Sequence, residues 1–404
     1  MRIAYIAPYQ GPSLLKCRPI VRNLSLGAKA KVEVIAGLLH HKSHAVEILS
    51  QGEVVERQFK LYPSFIEKDL FHGNIPVFYS ASFPVRFLNG FSSSLSLLRL
   101  FRARHKVAPY DAVFIYNLKP PQVTCANFAI KHLGLPVILE YEDNAFFDDD
   151  QPNGTNFTSK FQLSRVKTLL RSLSGCLAGS PSLLSQVRGN VPKLLLPGVV
   201  DEVLSMAATK SEIPRRNWVV FSGTHSPFQG LEQLIEAWKQ AKPTGWELHI
   251  AGQGAITDVL HNLSRNDPSI VFHGMLSRDQ NVELLRRGKI TVVAYDVHKT
   301  IGFSFKTVEC LAAGMHVITT RLTSLEGLDP ELKAGLTYID DNKAETISAS
   351  IKKVIEERRY ERTVQKATLE RYGPAAVSQS LDVFLDQVMI TQKPLNGPMQ
   401  RCFR

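Results

Sequence analysis

Short apolar runs rich in Val, Ile, Phe and Tyr recur along the chain, each closed by turn residues, with helix-patterned stretches between them. An apolar run of this length without polar alternation reads as a strand covered on both faces, as in a parallel sheet flanked by helices. In the first half "RIAYIA", "KVEVIAG", "DAVFIYN" and "LPVILEYED" read as such strands, and "PPQVTCANFAIKHLG" as a helix closing on Gly134. The second half repeats the scheme with "NWVVFSG", "WELHIAGQG", "ITVVAY" and "HVITT". Leu231, Leu234, Ile235 and Trp238 fall at helical spacing, and Ile347, Ile351, Val354 and Ile355 mark a later helical face. Alternation sustained through 404 residues exceeds what one core holds, so the expected class is α/β with two doubly wound domains. The first spans 1–209 and the second 210–375, joined by the polar, proline-bearing "KSEIPRRN" from Lys210 to Asn217. The last stretch, 376–404, is a candidate to cross back to the first domain.

Composition narrows the function classes. A chain that is 44% hydrophobic and 21% charged is globular rather than disordered or fibrous. No run approaches the roughly 20 apolar residues that span a bilayer, and Pro8 breaks the opening "MRIAYIAPYQ" too early for a signal peptide. Cys17, Cys125, Cys176, Cys310 and Cys402 show no CxxC spacing, which points to a reducing cytoplasm and away from a disulfide framework or zinc site. The net charge of +11 is concentrated early: residues 1–110 carry 15 Lys and Arg against 6 Asp and Glu, and Leu70 to Tyr110 holds no acid. Such a quarter implies an anionic partner, whether nucleic acid, phospholipid or a phosphorylated compound. Within it, "FLNGFSSSLSLLRLFRARHK" sets Phe91, Leu95 and Leu98 along one helical side and gathers Arg99, Arg102, Arg104 and Lys106 at its end. That pattern fits a helix lying on an anionic membrane, or a core helix with a solvated basic end.

Ligands of open parallel sheets bind beyond the carboxyl ends of the strands, which draws attention to three loops of the second half. In "FSGTHSPFQG", Gly223 ends a strand and Gly230 opens a helix, a start that favours phosphate oxygens or is an ordinary tight turn. "HIAGQGAI" offers Gly252 and Gly254 without a third glycine, and reads mainly as a turn. "ITVVAYDVHKTIGFSFKTVECLAAG" runs from a strand through a glycine-bearing loop into a helix, with Lys306 and Glu309 three apart on one face. A cation at a helix start opposes the macrodipole, so Lys306 makes better sense against a bound anion. Glu309 can accept the paired hydroxyls of a ribose; a plain Lys306–Glu309 surface ion pair also fits.

"GFSFKTVECLAAGMHVITT" resembles the donor-binding motif of the retaining GT-B glycosyltransferases of family 4, the glycosyl transferases group 1. "VVFSGTHSPFQGLEQLIEAW", "WELHIAGQG" and "IVFHGMLSRDQNVELLRRGKITVVAY" fit the family's phosphate loop, next strand and base-binding segment in order, and "KLLLPGVVD" the end of its first domain. The resemblance covers most of 190–375 and implies two Rossmann-like domains facing a central cleft. It implies that Glu309 holds the ribose hydroxyls and that Gly302, Phe303 and Ser304, with Ile301, meet the donor sugar and diphosphate. Three departures stand out. Ile301 replaces the family's first Glu, Thr224 and Gln229 replace the Arg and Lys of the phosphate loop, and Lys306 is placed to supply the missing charge. In the first domain a single Gly11 stands where the family often has a glycine pair near the donor phosphates. Glu142 and Asp143, in "ILEYEDNAFF", take the place of the segment near the reacting sugar, or are solvated carboxylates at a strand end.

Other signals carry less. Asp148 and Asp150 form an Asp-x-Asp in a polar loop, and His40 and His44 share a helical face without a third ligand. No Ser-His-Asp order or G-x-S-x-G supports a hydrolase. The expected function is transfer of a hexosyl group, with retention, from a nucleotide-diphosphate sugar to a lipid-linked or polysaccharide-precursor acceptor. Attack would be assisted by the departing diphosphate. No metal or other cofactor is expected, the donor being a substrate. The protein is expected in the cytoplasm, peripheral at the inner membrane face through 91–106. A nucleotide-sugar epimerase of the same fold lacks an evident acid/base set here. A non-catalytic nucleotide-sugar or nucleic-acid binder is the other alternative, with no interleaved aromatic and basic strand pattern to favour RNA.

Overall fold

The computed structural model describes residues 1–18, 21, 26–54, 59–68, 75–85, 89–142, 157–210, 213–296 and 305–392. The first sheet comprises β1 (Arg2–Ile6), β2 (Ala45–Ser50), β3 (Phe65–Glu67), β4 (Val77–Tyr79), β5 (Ala112–Tyr116), β6 (Val137–Tyr141), β7 (Gly175–Ala178) and β8 (Lys193–Leu195). Its order is β3-β4-β2-β1-β5-β6-β7-β8, parallel throughout except that β3 runs against β4 at the edge. The second sheet holds β9 (Trp218–Ser222), β10 (Glu247–Ala251), β11 (Ile270–Gly274), β12 (Ile290–Val293), β13 (His316–Thr320) and β14 (Leu336–Ile339). It is wholly parallel in the order β11-β10-β9-β12-β13-β14. In the interior of both sheets β5, β6, β12 and β13 are buried along their whole length, which is why they read as largely apolar runs.

The strand order reverses between β1 and β5 in the first sheet and between β9 and β12 in the second. These are the points where a crevice opens and ligands bind.

One expected strand is a helix. "KVEVIAG" lies inside the helix Leu26–His41, and the strand beside β1 is the later "AVEILS". The β-branched residues suggested a strand, but the fully or nearly buried positions Val32, Ile35, Ala36 and Leu39 follow the helical period. The segment therefore presents Lys31 to the interior rather than to a sheet face.

An apolar cluster runs from Tyr5 and Phe114 on the inner face of the first sheet, through Leu196, Val199 and Val200, to Val308 and Leu311 of the second domain. The helix Pro374–Gln392 packs on the first domain: Phe384 and Val388 lie against Gly175, and Asp382 pairs with Lys42 at 2.6 Å. The helix Asn89–Val107 covers the other face of the first sheet through Leu97 and Phe101, leaving Phe91 71% exposed. Its cations differ in use. Arg104 is held by Glu47 at 2.7 Å and stacks over Phe78 at 4.1 Å, whereas Arg99, Arg102 and Lys106 are exposed. Among the described residues no helix is long and apolar enough to cross a membrane.

Candidate functional site

At the switch point of the second sheet, the loops after β9 and β10 are laced together. The Gly223 amide donates to the Ala251 carbonyl at 3.1 Å and the His225 amide to the Gln253 carbonyl at 3.1 Å. Gly252 sits at φ +120, and a Cβ there would overlap the Gly223 carbonyl, so only glycine permits this approach. His225, buried beneath, has its Nδ1 3.0 Å from the Thr257 hydroxyl, and burial holds its imidazole below the usual histidine range. Thr224 is partly exposed at the rim of this loop.

The helix Phe305–Ala312 enters the same crevice from the β12 side, burying Thr307, Val308, Cys310, Leu311 and Ala312. It ends on Gly314 at φ +83, where Arg215 of the linker donates to the Ala313 carbonyl at 3.1 Å. Lys306 extends from its first turn to the phosphate-type loop, donating to the Gln229 side-chain oxygen at 2.8 Å and lying 3.8 Å from the Phe221 ring centroid. A Cβ on Gly223 would come 2.7 Å from the same ammonium. Burial pulls that ammonium down to about 8, although the residue keeps a partial opening to solvent. Gln229 is the position where the resemblance asks for a cation. Lys306, from a different element, brings an ammonium to that position.

Lys306 and Glu309 do not pair. Glu309 accepts from Arg278, which also donates to Asp201 at 2.5 Å. Arg278 and Asp201 escaped the sequence reading because they lie 31 and 108 residues from Glu309, and no local spacing signals such a contact.

In the first domain, Glu142 directly follows β6 and is 3% exposed. Lys31, wholly buried, donates to Glu142 and lies 3.5 Å from Glu140, which also accepts from the Tyr5 hydroxyl. The Glu142 amide is held by Asn117 at 2.7 Å. Burial pushes the Glu140 carboxyl up, against the pull of Lys31 and Tyr5. Lys31 lies 5.7 Å from the ring centroid of Phe305, so this cluster faces the start of the helix that carries Lys306 and Glu309. Gly11 is elsewhere engaged: its amide donates to the Tyr79 hydroxyl at 2.9 Å, and the next backbone N–H, that of Ser13 after Pro12, donates to Glu67 at 2.7 Å. Asp143, Ile301, Gly302, Phe303 and Ser304 lie outside the described residues, as do Asp148 and Asp150. The described residues contain no group of three side chains arranged to hold a metal.

Residues 216–357 match the family described as glycosyl transferases group 1. Sucrose-phosphate synthase from Thermosynechococcus elongatus superposes with a TM-score of 0.72 at 15% identity, covering 97% of this chain and 100% of that one. Anabaena HepE in complex with UDP gives 0.63 at 15% identity, covering 96% and 100%. The catalytic domain of starch synthase IV from Arabidopsis thaliana, bound to ADP and acarbose, gives 0.62 at 11% identity, covering 96% and 99%. A search of curated protein sequences gave no match. The fold is GT-B, and the glycosyl transferases group 1 match falls on the part of the chain that forms the second sheet.

Proposed function

We propose that this protein is a glycosyltransferase that moves a hexosyl group from a nucleotide-diphosphate sugar to a lipid-linked or polysaccharide-precursor acceptor, with retention. The observation that carries this reading is Lys306 reaching Gln229 at the switch point of the second sheet: a cation against a glycine loop, placed for a diphosphate. HepE and starch synthase IV, described with UDP and with ADP, share the fold and support a nucleoside diphosphate. Glu309 receives the ribose diol and Lys306 the diphosphate. Glu142, with Asp143 next to it in the sequence, is the candidate for the reacting end. A carboxylate paired with a buried ammonium is a weak base, which favours a course in which the departing diphosphate, not a protein base, assists the acceptor's attack. Incubating the protein with a panel of nucleotide sugars, with and without lipid extract, tests this by mass spectrometry. A product one sugar heavier than an extract component supports transfer; intact donors in every mixture count against it.

Glu309→Ala leaves the diol unpaired and weakens nucleotide binding by about 1–3 kcal/mol. Calorimetry on the folded variant reads this directly, and an unchanged affinity removes Glu309 from the site.

We place the protein in the cytoplasm, docked at the inner membrane face through 91–106. Phe91 and Leu95 offer exposed apolar surface beside the exposed cations Arg99, Arg102 and Lys106. Arg104 belongs to the Glu47 pair and is left out of the test. Each of the other cations contributes about 1 kcal/mol near an anionic leaflet. Replacing Arg99, Arg102 and Lys106 with Gln is expected to release the protein from anionic vesicles at low salt. Wild-type protein that fails to sediment with those vesicles rules the docking out.

A further inference from the structure

Arg278 is the first residue of the helix Arg278–Arg287, whose start is fixed by a capping box between Ser277 and Gln280. A cation at that end opposes the helix dipole, so its place needs another cause. It has two. Its Nη1 donates to Glu309 and its Nε donates to Asp201 at 2.5 Å. Asp201 is itself fixed, since its other oxygen accepts from the Leu204 amide at 2.9 Å at the start of the helix Glu202–Lys210. Burial works against the Arg278 charge, but Glu309 and Asp201 outweigh it and hold the guanidinium above its ordinary range. The stretch leading to Asp201 passes close under the Glu309 helix: Val308 occupies the space where a Cβ of Gly198 would be.

We infer that Arg278 is a positioning residue: it fixes one Glu309 oxygen, leaving the other to accept from the ribose diol, and ties that carboxylate to Asp201 at the crossing between the domains. This rests on the reading of Glu309 as the diol ligand. An unrestrained Glu loses side-chain freedom when it captures a ligand; one already held by a charge-assisted bond loses less, so the nucleotide meets a prepared acceptor. The bridge needs a fork, because two different guanidinium nitrogens serve the two carboxylates. A lysine, with a single nitrogen, keeps the charge and loses the fork.

The test uses full-length protein, a ribonucleoside diphosphate that the wild type binds, and its 2′,3′-dideoxy analogue. Arg278→Gln is expected to weaken the ribonucleotide about tenfold in calorimetry, the loss of one charge-assisted positioning bond, and the dideoxy form by roughly twofold or less. Arg278→Lys falls between wild type and Arg278→Gln, and its thermal midpoint shows whether folding is kept. If Glu309→Ala discriminates between the two ligands but neither Arg278 variant does, Arg278 only supports the fold and the inference fails. Equal loss of both ligands in the Arg278 variants overturns it in the same way. If Glu309→Ala itself does not discriminate, the diol reading falls first, and the inference with it.

Discussion

Replacing Lys31 with methionine is expected to cost about 3–5 kcal/mol, because it strands Glu140 and Glu142 in the interior without their shared cation. The two carboxylates sit at the carboxyl end of β6, and Glu140 is already pushed up by burial. Without Lys31 at least one must take a proton to stay inside. For a domain of this size the loss corresponds to a fall of about 10 °C in the thermal midpoint. Adding Glu142→Gln to Lys31→Met removes one stranded charge and recovers part of the loss. A single variant as stable as wild type would mean that the ammonium is not buried between them. The functional consequence follows from place: Glu142 is the candidate on the acceptor side, and Lys31 fixes where its carboxylate points.

Lys306→Ala carries the second large effect. A diphosphate sitting on the loop after β9 loses the ammonium that reaches that loop, and charge-assisted bonds of this kind contribute about 1.5–3 kcal/mol. Nucleoside diphosphate affinity should fall by up to about a hundredfold, and monophosphate affinity by far less. The pH dependence has a definite sign. Burial lowers the Lys306 ammonium to about 8, so its charge is lost as pH rises through that value. Wild-type affinity for the diphosphate should therefore drop between about pH 7 and pH 9, with proton uptake on binding near the middle of that range. Lys306→Arg, which stays charged, should flatten the profile. Equal losses for mono- and diphosphate, or a flat wild-type profile, would leave Lys306 as no more than the partner of Gln229.

The second domain was legible because its strands are short runs dominated by apolar residues and its helix Leu231–Ala241 is strongly amphipathic, so period and burial agree for Leu231, Leu234, Ile235 and Trp238. Its candidate site was legible as far as local spacing reaches: Lys306 and Glu309 lie on one helix start, and the resemblance sets Gln229 where a cation is expected. Their partners were not, since the pairing of Glu309 with Arg278 and of Lys306 with Gln229 spans 31 and 77 residues. In the first domain local propensity misled. Val32, Val34 and Ile35 read as a strand, and the interior role of Lys31 was hidden with them. The short strands β3, β4, β7 and β8, of three or four residues each, gave no period to count. Gly11 could be read as a glycine near a helix start, but the engagement of its neighbourhood by Tyr79 and Glu67 depends on a chain segment more than fifty residues on.

Whether Lys306 and Glu309 hold a nucleoside-diphosphate donor is read by calorimetric titration of the purified protein with a panel of nucleoside diphosphates. One base is expected to bind at a single site, and this binding to be lost in the folded Lys306→Ala/Glu309→Ala double variant. The Arg99, Arg102 and Lys106 variant is expected to retain that binding. A double variant that binds the same nucleotide as tightly as wild type, or a wild type that binds none of them, would contradict it.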